Sequence, residues 1–121
     1  MVRRAAGVAV LILVLGFAAA LEARVATGTM AGSVLDYHGK PLEGATVTMQ
    51  TSDGMHPYAT HTDANGRFEF ARYETGQYDL RAYSSGMFSD WTKRISIHAG
   101  KTTQVTLRMP PVADESVTVT K

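Results

Sequence analysis

From about residue 28 onward the chain is punctuated by Gly, Asn or Asp turns at intervals of roughly eight to twelve residues, with no sustained helical period between them. That rhythm restricts the fold more than any other feature, because segments so short can bury only one face each. Ala45, Val47 and Met49 alternate with Thr46, Thr48 and Gln50 in "ATVTMQT", and Tyr78, Leu80 and Ala82 share one side of "YDLRAY". Such strands need a second sheet to cover their apolar sides, so about seven short strands predict an all-β sandwich. "TMAGSVLD" opens the series, "YATHTD" and "RFEFA" form a hairpin, and "RISI" and "TTQVTLRM" flank the turn "HAGK". Phe68, Phe70, Ile95, Ile97, Val105, Leu107 and Met109 join the expected core, and Pro110 and Pro111 end the last strand.

The chain has 121 residues, room for one domain once a leader is set aside. Its N-terminus reads as an address. Arg3 and Arg4 precede an uncharged apolar run from Ala5 to Leu21, which ends in small residues at Ala18 and Ala20. This is the pattern of a cleaved secretory signal helix over residues 1–20, with Ala23 as a second cleavage point. An uncleaved membrane anchor is the alternative, and it is the only route by which a membrane enters the expectations. The protein is therefore expected to be secreted or periplasmic. Removing residues 1–20 takes Arg3 and Arg4 from the 12 basic residues and none of the 11 acidic ones, leaving a nearly neutral domain. No basic block outside the leader offers a footprint for nucleic acid. Without cysteine there is no disulfide, thiolate metal site or thiol nucleophile.

"THTDANGRFEF" (Thr60 to Phe70) poses the main chemical question, whether its turn cradles a ligand or only bends a hairpin. Asp63 begins the turn and Gly66 follows three residues later, a spacing in which the carboxylate accepts backbone N–H groups and the glycine takes a positive φ. Asp36 and Gly39 repeat it in "DYHG". A calcium loop needs about six to eight oxygen ligands, and only Asp63 and the Asn65 amide are local. His61 and Asp63 share a strand face, with His56 nearby, but two ligands make half a metal site. Neither H-x-x-E, H-E-x-x-H nor G-x-S-x-G occurs. No catalytic residue, cofactor or metal is expected, and the chain is read as a non-enzyme.

Two loops hold the exposed aromatic candidates. "SSGMFSDW" carries Phe88 and Trp91, and "SDGMHPY" carries Tyr58. Phe88 and Trp91 are expected to fold down as a lid on the sandwich end. The alternative is a sugar-stacking surface formed with Tyr58, because ring faces pack on the apolar faces of sugars.

"MAGSVLDYHGKPLEGATVTM", "THTDANGRFEF", "GQYDLRAYSSG" and "ISIHAGKTTQVTLRM" together resemble the carboxypeptidase regulatory-like domain, a transthyretin-like (prealbumin-like) Greek-key β-sandwich. The resemblance spans about residues 28–109, preceded by a linker over 21–27. It implies an exported accessory module that binds or positions cell-envelope proteins or glycans, with no catalytic residues of its own. Because the wider superfamily shares its sandwich with starch-binding domains, a carbohydrate-binding module is the alternative. Only the turn positions Gly39, Gly44, Asp63 and Gly66 carry over from the family pattern. The tail over 110–121 resembles the segment that follows this module in TonB-dependent receptors and approximates a TonB box. Its Glu115, Val117 and Val119 suit strand addition to a partner's sheet edge.

Overall fold

The computed structural model describes residues 25–112, so the expected signal segment and the tail bearing Glu115, Val117 and Val119 lie outside the described residues. Eight strands follow in order: β1 (Thr27–Leu35), β2 (Thr46–Thr51), β3 (Tyr58–His61), β4 (Arg67–Glu74), β5 (Gly76–Ser84), β6 (Met87–Phe88), β7 (Thr92–Ile97) and β8 (Thr102–Arg108). Among the described residues no helix is long and apolar enough to cross a membrane.

The strands form two sheets, one ordered β4-β1-β8 and the other β3-β2-β5 with β6 and β7 both paired to β5. β1 runs antiparallel to β4 and parallel to β8, so the last strand returns to lie beside the first. That long-range parallel pair closes the predicted sandwich. Eight strands replace the expected seven for a local reason. β6 pairs with Tyr83 and Ser84, whereas β7 pairs with Gly76 to Leu80, on the side of β5 away from β2. They are one edge strand, interrupted at Ser89 to Trp91. There the Ser89 hydroxyl accepts the Ala82 N–H at 2.8 Å, and the Ser89 N–H donates to the Ala82 carbonyl at 2.8 Å. A side chain has replaced one backbone partner, which breaks the ladder without leaving a donor unpaired.

Period-two alternation sets the core. Val47 and Met49 of β2, Leu80 and Ala82 of β5, and Phe68 and Phe70 of β4 all point between the sheets and are buried. Each large apolar side chain enclosed this way contributes roughly 1.5–3 kcal/mol relative to exposure. Ile95 and Val105, expected in the core, are only partly buried, whereas Ile97 and Leu107 on the same edge strands are enclosed. Met30 and Val34 of the central β1 are wholly enclosed instead. Between them lies Gly32, where an added Cβ would run into the Val105 carbonyl oxygen and approach the Phe68 ring at 3.0 Å. A strand interior normally disfavours glycine; here close packing of β8 and Phe68 requires it.

Candidate functional site

The two acidic turns are closed on themselves. Asp63 Oδ1 accepts the N–H groups of Asn65 and Arg67, both at 2.9 Å, and the Gly66 N–H donates to the Asp63 carbonyl at 2.9 Å. Asp36 Oδ1 likewise accepts from His38 at 2.8 Å and Lys40 at 2.9 Å. Gly39, Gly44 and Gly66 have φ of 88°, 77° and 74°. At Gly66 any side chain would also press on Pro41 and Leu42 at 2.9 Å. Backbone N–H donation, from Arg67 above all for Asp63 and from Lys40 for Asp36, holds both carboxyls below their ordinary range. A third turn has the same chemistry, with Asp53 accepting from the Thr51 hydroxyl at 2.5 Å and the Met55 N–H at 2.9 Å. Its signal was the Asp53-Gly54 dipeptide. Among the described residues no three His, Asp or Glu side chains gather closely enough to hold a metal ion, so His56, His61 and Asp63 are not assembled into a site.

The structure separates the three aromatic candidates. Tyr58 lies on edge strand β3, where its ring meets Tyr73 edge-on at 4.7 Å; Tyr73 continues to Phe70 at 5.8 Å and Phe70 to Phe68 at 6.0 Å. This row of rings seals one flank of the sandwich. A cleft of about 360 Å³ beside it is lined by His56, Tyr58, Arg72 and Tyr73, among others. Phe88 and Trp91 lie at the opposite edge of the same sheet, beyond β2 and β5. Tyr58 and Trp91 therefore do not share one surface.

Nor do Phe88 and Trp91 cap the sandwich end as expected. They clasp Arg81, whose guanidinium carbon stands 3.9 Å from the Phe88 ring centre and 4.6 Å from that of Trp91. Tyr83 extends the group, its ring 4.7 Å from Phe88. The physical cause is the alternation of β5. With Leu80 and Ala82 directed inward, Arg81 and Tyr83 must face out, and the hairpin through Ser85 and Gly86 returns Phe88 opposite Tyr83. The ring faces and the guanidinium satisfy one another by cation–π attraction. Tyr83 remains 40% exposed and Phe88 50%, so the ledge is open to solvent. Thr46 and Thr48 of β2 pair across from Tyr83 and Arg81 and continue the same face. Arg81 and Tyr83 were absent from the expected site, although the alternation of "YDLRAY" already placed them outward.

Arg81 is engaged by rings rather than by a carboxylate. Asp79, two residues before Arg81 on the same face, accepts the Ser52 hydroxyl at 2.8 Å and the Arg94 N–H at 2.9 Å. One oxygen of that carboxylate, Oδ1, thus serves the bulge in β7. No ion pair to Arg81 forms among the described residues. A different surface, at the sandwich end, is an apolar cleft of about 440 Å³ lined in part by Tyr37, Leu42, Met87 and Met109.

Comparison with known proteins places this geometry. A candidate rhamnogalacturonate lyase B from Aspergillus fumigatus is 41% identical over 49 residues, which is 40% of this chain and 7% of that protein. Among solved structures, the minor pilin of Streptococcus agalactiae superposes with a TM-score of 0.61 at 19% identity, over 74% of this chain and 48% of that one. A candidate carbohydrate-binding protein from Bacteroides uniformis superposes at 0.53 with 12% identity, over 68% and 40% of the two chains. The chain thus spans less than half the length of each, and the structural likenesses speak to the fold. The carboxypeptidase regulatory-like domain profile matches residues 29–110, nearly all of the described sandwich. The chain belongs to the carboxypeptidase regulatory-like domain family.

Proposed function

We propose that this protein is an exported, non-catalytic accessory module that binds or positions another component of the cell envelope through the outer face of its five-stranded sheet. The observation that carries the reading is the ledge of Tyr83, Phe88 and Trp91 around Arg81, solvent-facing and built from residue types that dominate recognition surfaces. Family membership supports the non-catalytic part. Arg3, Arg4 and the apolar run from Ala5 to Leu21 support export to the periplasm or beyond.

The partner is a protein or a glycan, and the exposed ring faces favour the glycan, since sugars stack on aromatic rings. Two relatives named for carbohydrates, the Aspergillus and Bacteroides proteins, support that second reading. A docking strand in the tail over 110–121 stays subordinate, resting on Glu115, Val117 and Val119 alone.

The experiment immobilises the mature protein and measures retention of solubilised envelope fractions and of a panel of soluble glycans. A Phe88→Ser, Tyr83→Ser variant is the control. Retention that the variant loses while keeping its melting temperature is the expected result; equal retention by both proteins contradicts the assignment of this face.

A further inference from the structure

We propose that the ledge is a uronate site: Arg81, clasped between Phe88 and Trp91, pairs with the carboxylate of an acidic sugar whose ring stacks on the exposed aromatic faces. The inference rests on the glycan reading above and adds the charge of the ligand.

Three features of the structure lead to it. The first is preorganisation. A free arginine loses considerable rotamer freedom on binding, but the Arg81 guanidinium carbon is already held at 3.9 and 4.6 Å from two ring centres. A guanidinium held against rings keeps N–H donors that can meet a carboxylate in a bidentate pair.

The second feature is the lack of an ion-pair partner among the described residues. Asp79 is the acidic neighbour on β5, and its Oδ1 accepts from the Ser52 hydroxyl and the Arg94 N–H rather than from Arg81. The segment from Arg81 to Arg94 carries Arg81, Lys93 and Arg94 against Asp90. A half-buried guanidinium without a carboxylate partner on its own face is complementary to an anionic ligand.

The third feature separates a sugar from a peptide. β5 is paired on both sides, to β2 and to β6 and β7, and the edge formed by β6 and β7 is broken at Ser89 to Trp91, so an extended peptide finds no continuous backbone edge at the ledge. Recognition at Arg81 and Tyr83 then comes from side chains. Ring faces at Phe88 and Tyr83, the Arg81 edge and the Thr46 and Thr48 hydroxyl side chains on the adjoining strand suit an oligosaccharide bearing a carboxylate and several hydroxyls. Neutral sugars would use the rings and hydroxyls but not the cation.

The test titrates the mature protein with oligogalacturonate, with its fully methyl-esterified form, with a neutral oligosaccharide of the same length and with polyglutamate. Emission of Trp91, the single tryptophan, and calorimetry are both recorded. The expected result is saturable binding of the free acid, about tenfold or more tighter than the ester, and lost by about the same factor in Arg81→Gln. Arg81→Lys should recover only part, because an ammonium cannot make the bidentate pair. Affinity for the acid should fall with added salt, and affinity for neutral sugars should not. Equal binding of acid and ester overturns the inference while leaving the glycan reading in place, and needs no variant to fold. Equal binding of polyglutamate reduces the site to a general anion contact and also overturns it. Failure of every glycan removes both readings together.

Discussion

The Thr62 hydroxyl reinforces the backbone pairing of Thr62 with Gly44 and Ala45 and ties in the loop before β2. It donates to the Leu42 carbonyl at 2.6 Å and accepts the Ala45 N–H at 2.9 Å, with the residue only 6% exposed. Removing it strands a buried donor and acceptor, so Thr62→Val should lower unfolding stability by about 1–3 kcal/mol, and Thr62→Ser by much less. Denaturant titration of the two variants checks this. The acidic turns predict a pH response. Asp36, Asp53 and Asp63 have carboxyls held below their ordinary value of 3.8 by hydrogen bonds to the charged form. Depressed carboxyls favour the folded state above the ordinary value, and that contribution is lost as pH falls through the folded value. The melting temperature should therefore drop as pH falls below about 4, and an Asp36→Asn, Asp63→Asn variant should show a shallower drop. Equal slopes would show that the turns do not depend on ionised carboxylates. The turns at Asp36 and Asp63 were legible because D-x-x-G has one economical local geometry; the turn at Asp53 lacks that spacing and was not read. Thr62 was not, since its partners lie about twenty residues away and become neighbours only in the folded sandwich.

At the level of strands, the inward faces of β2, β4 and β5 could be read directly from alternation. The central position of β1 could not, because its inward face alternates Gly28, Met30, Gly32 and Val34, and glycine carries no hydrophobic signal. The interrupted edge formed by β6 and β7 was hidden as well, since nothing in "FSDW" announces that the Ser89 hydroxyl will replace a backbone partner. That substitution makes a further prediction. Ser89→Ala leaves the Ala82 N–H without its acceptor, and this buried donor should cost about 1–3 kcal/mol. Amide hydrogen exchange should quicken at Ala82 and along the neighbouring edge, with the β1–β8 pair unchanged. Uniform protection throughout would mean that the edge is held by packing alone. The ledge depends on this break, which carries the chain from Phe88 to Trp91 so that the two rings meet Arg81 from separate positions.

For the molecule as a whole, the sandwich sorts residues by which sheet, which face and which edge they occupy. Tyr58, Phe88 and Trp91 looked alike as exposed-loop aromatics, yet one seals a flank and the others build a ledge at the far edge of the same sheet. Sequence reaches the class of fold, the acidic turns and most of the core. It does not reach the partition of surfaces, because that follows from strand order, and strand order joins residues such as Thr29 and Thr102 that are distant along the chain. Surfaces that compete with the ledge are the cleft beside Tyr58 and Tyr73, the apolar end cleft near Tyr37 and Met109, and a polar cleft of about 570 Å³ lined in part by His61, Asp63 and Glu69. An amide chemical-shift map of the labelled protein, recorded as soluble acidic and neutral glycans are titrated, distinguishes them directly. The account predicts shifts concentrated on residues 79–94 with Thr46 and Thr48; shifts gathered instead around Tyr37 and Met109, or around Tyr58 and Tyr73, would contradict it.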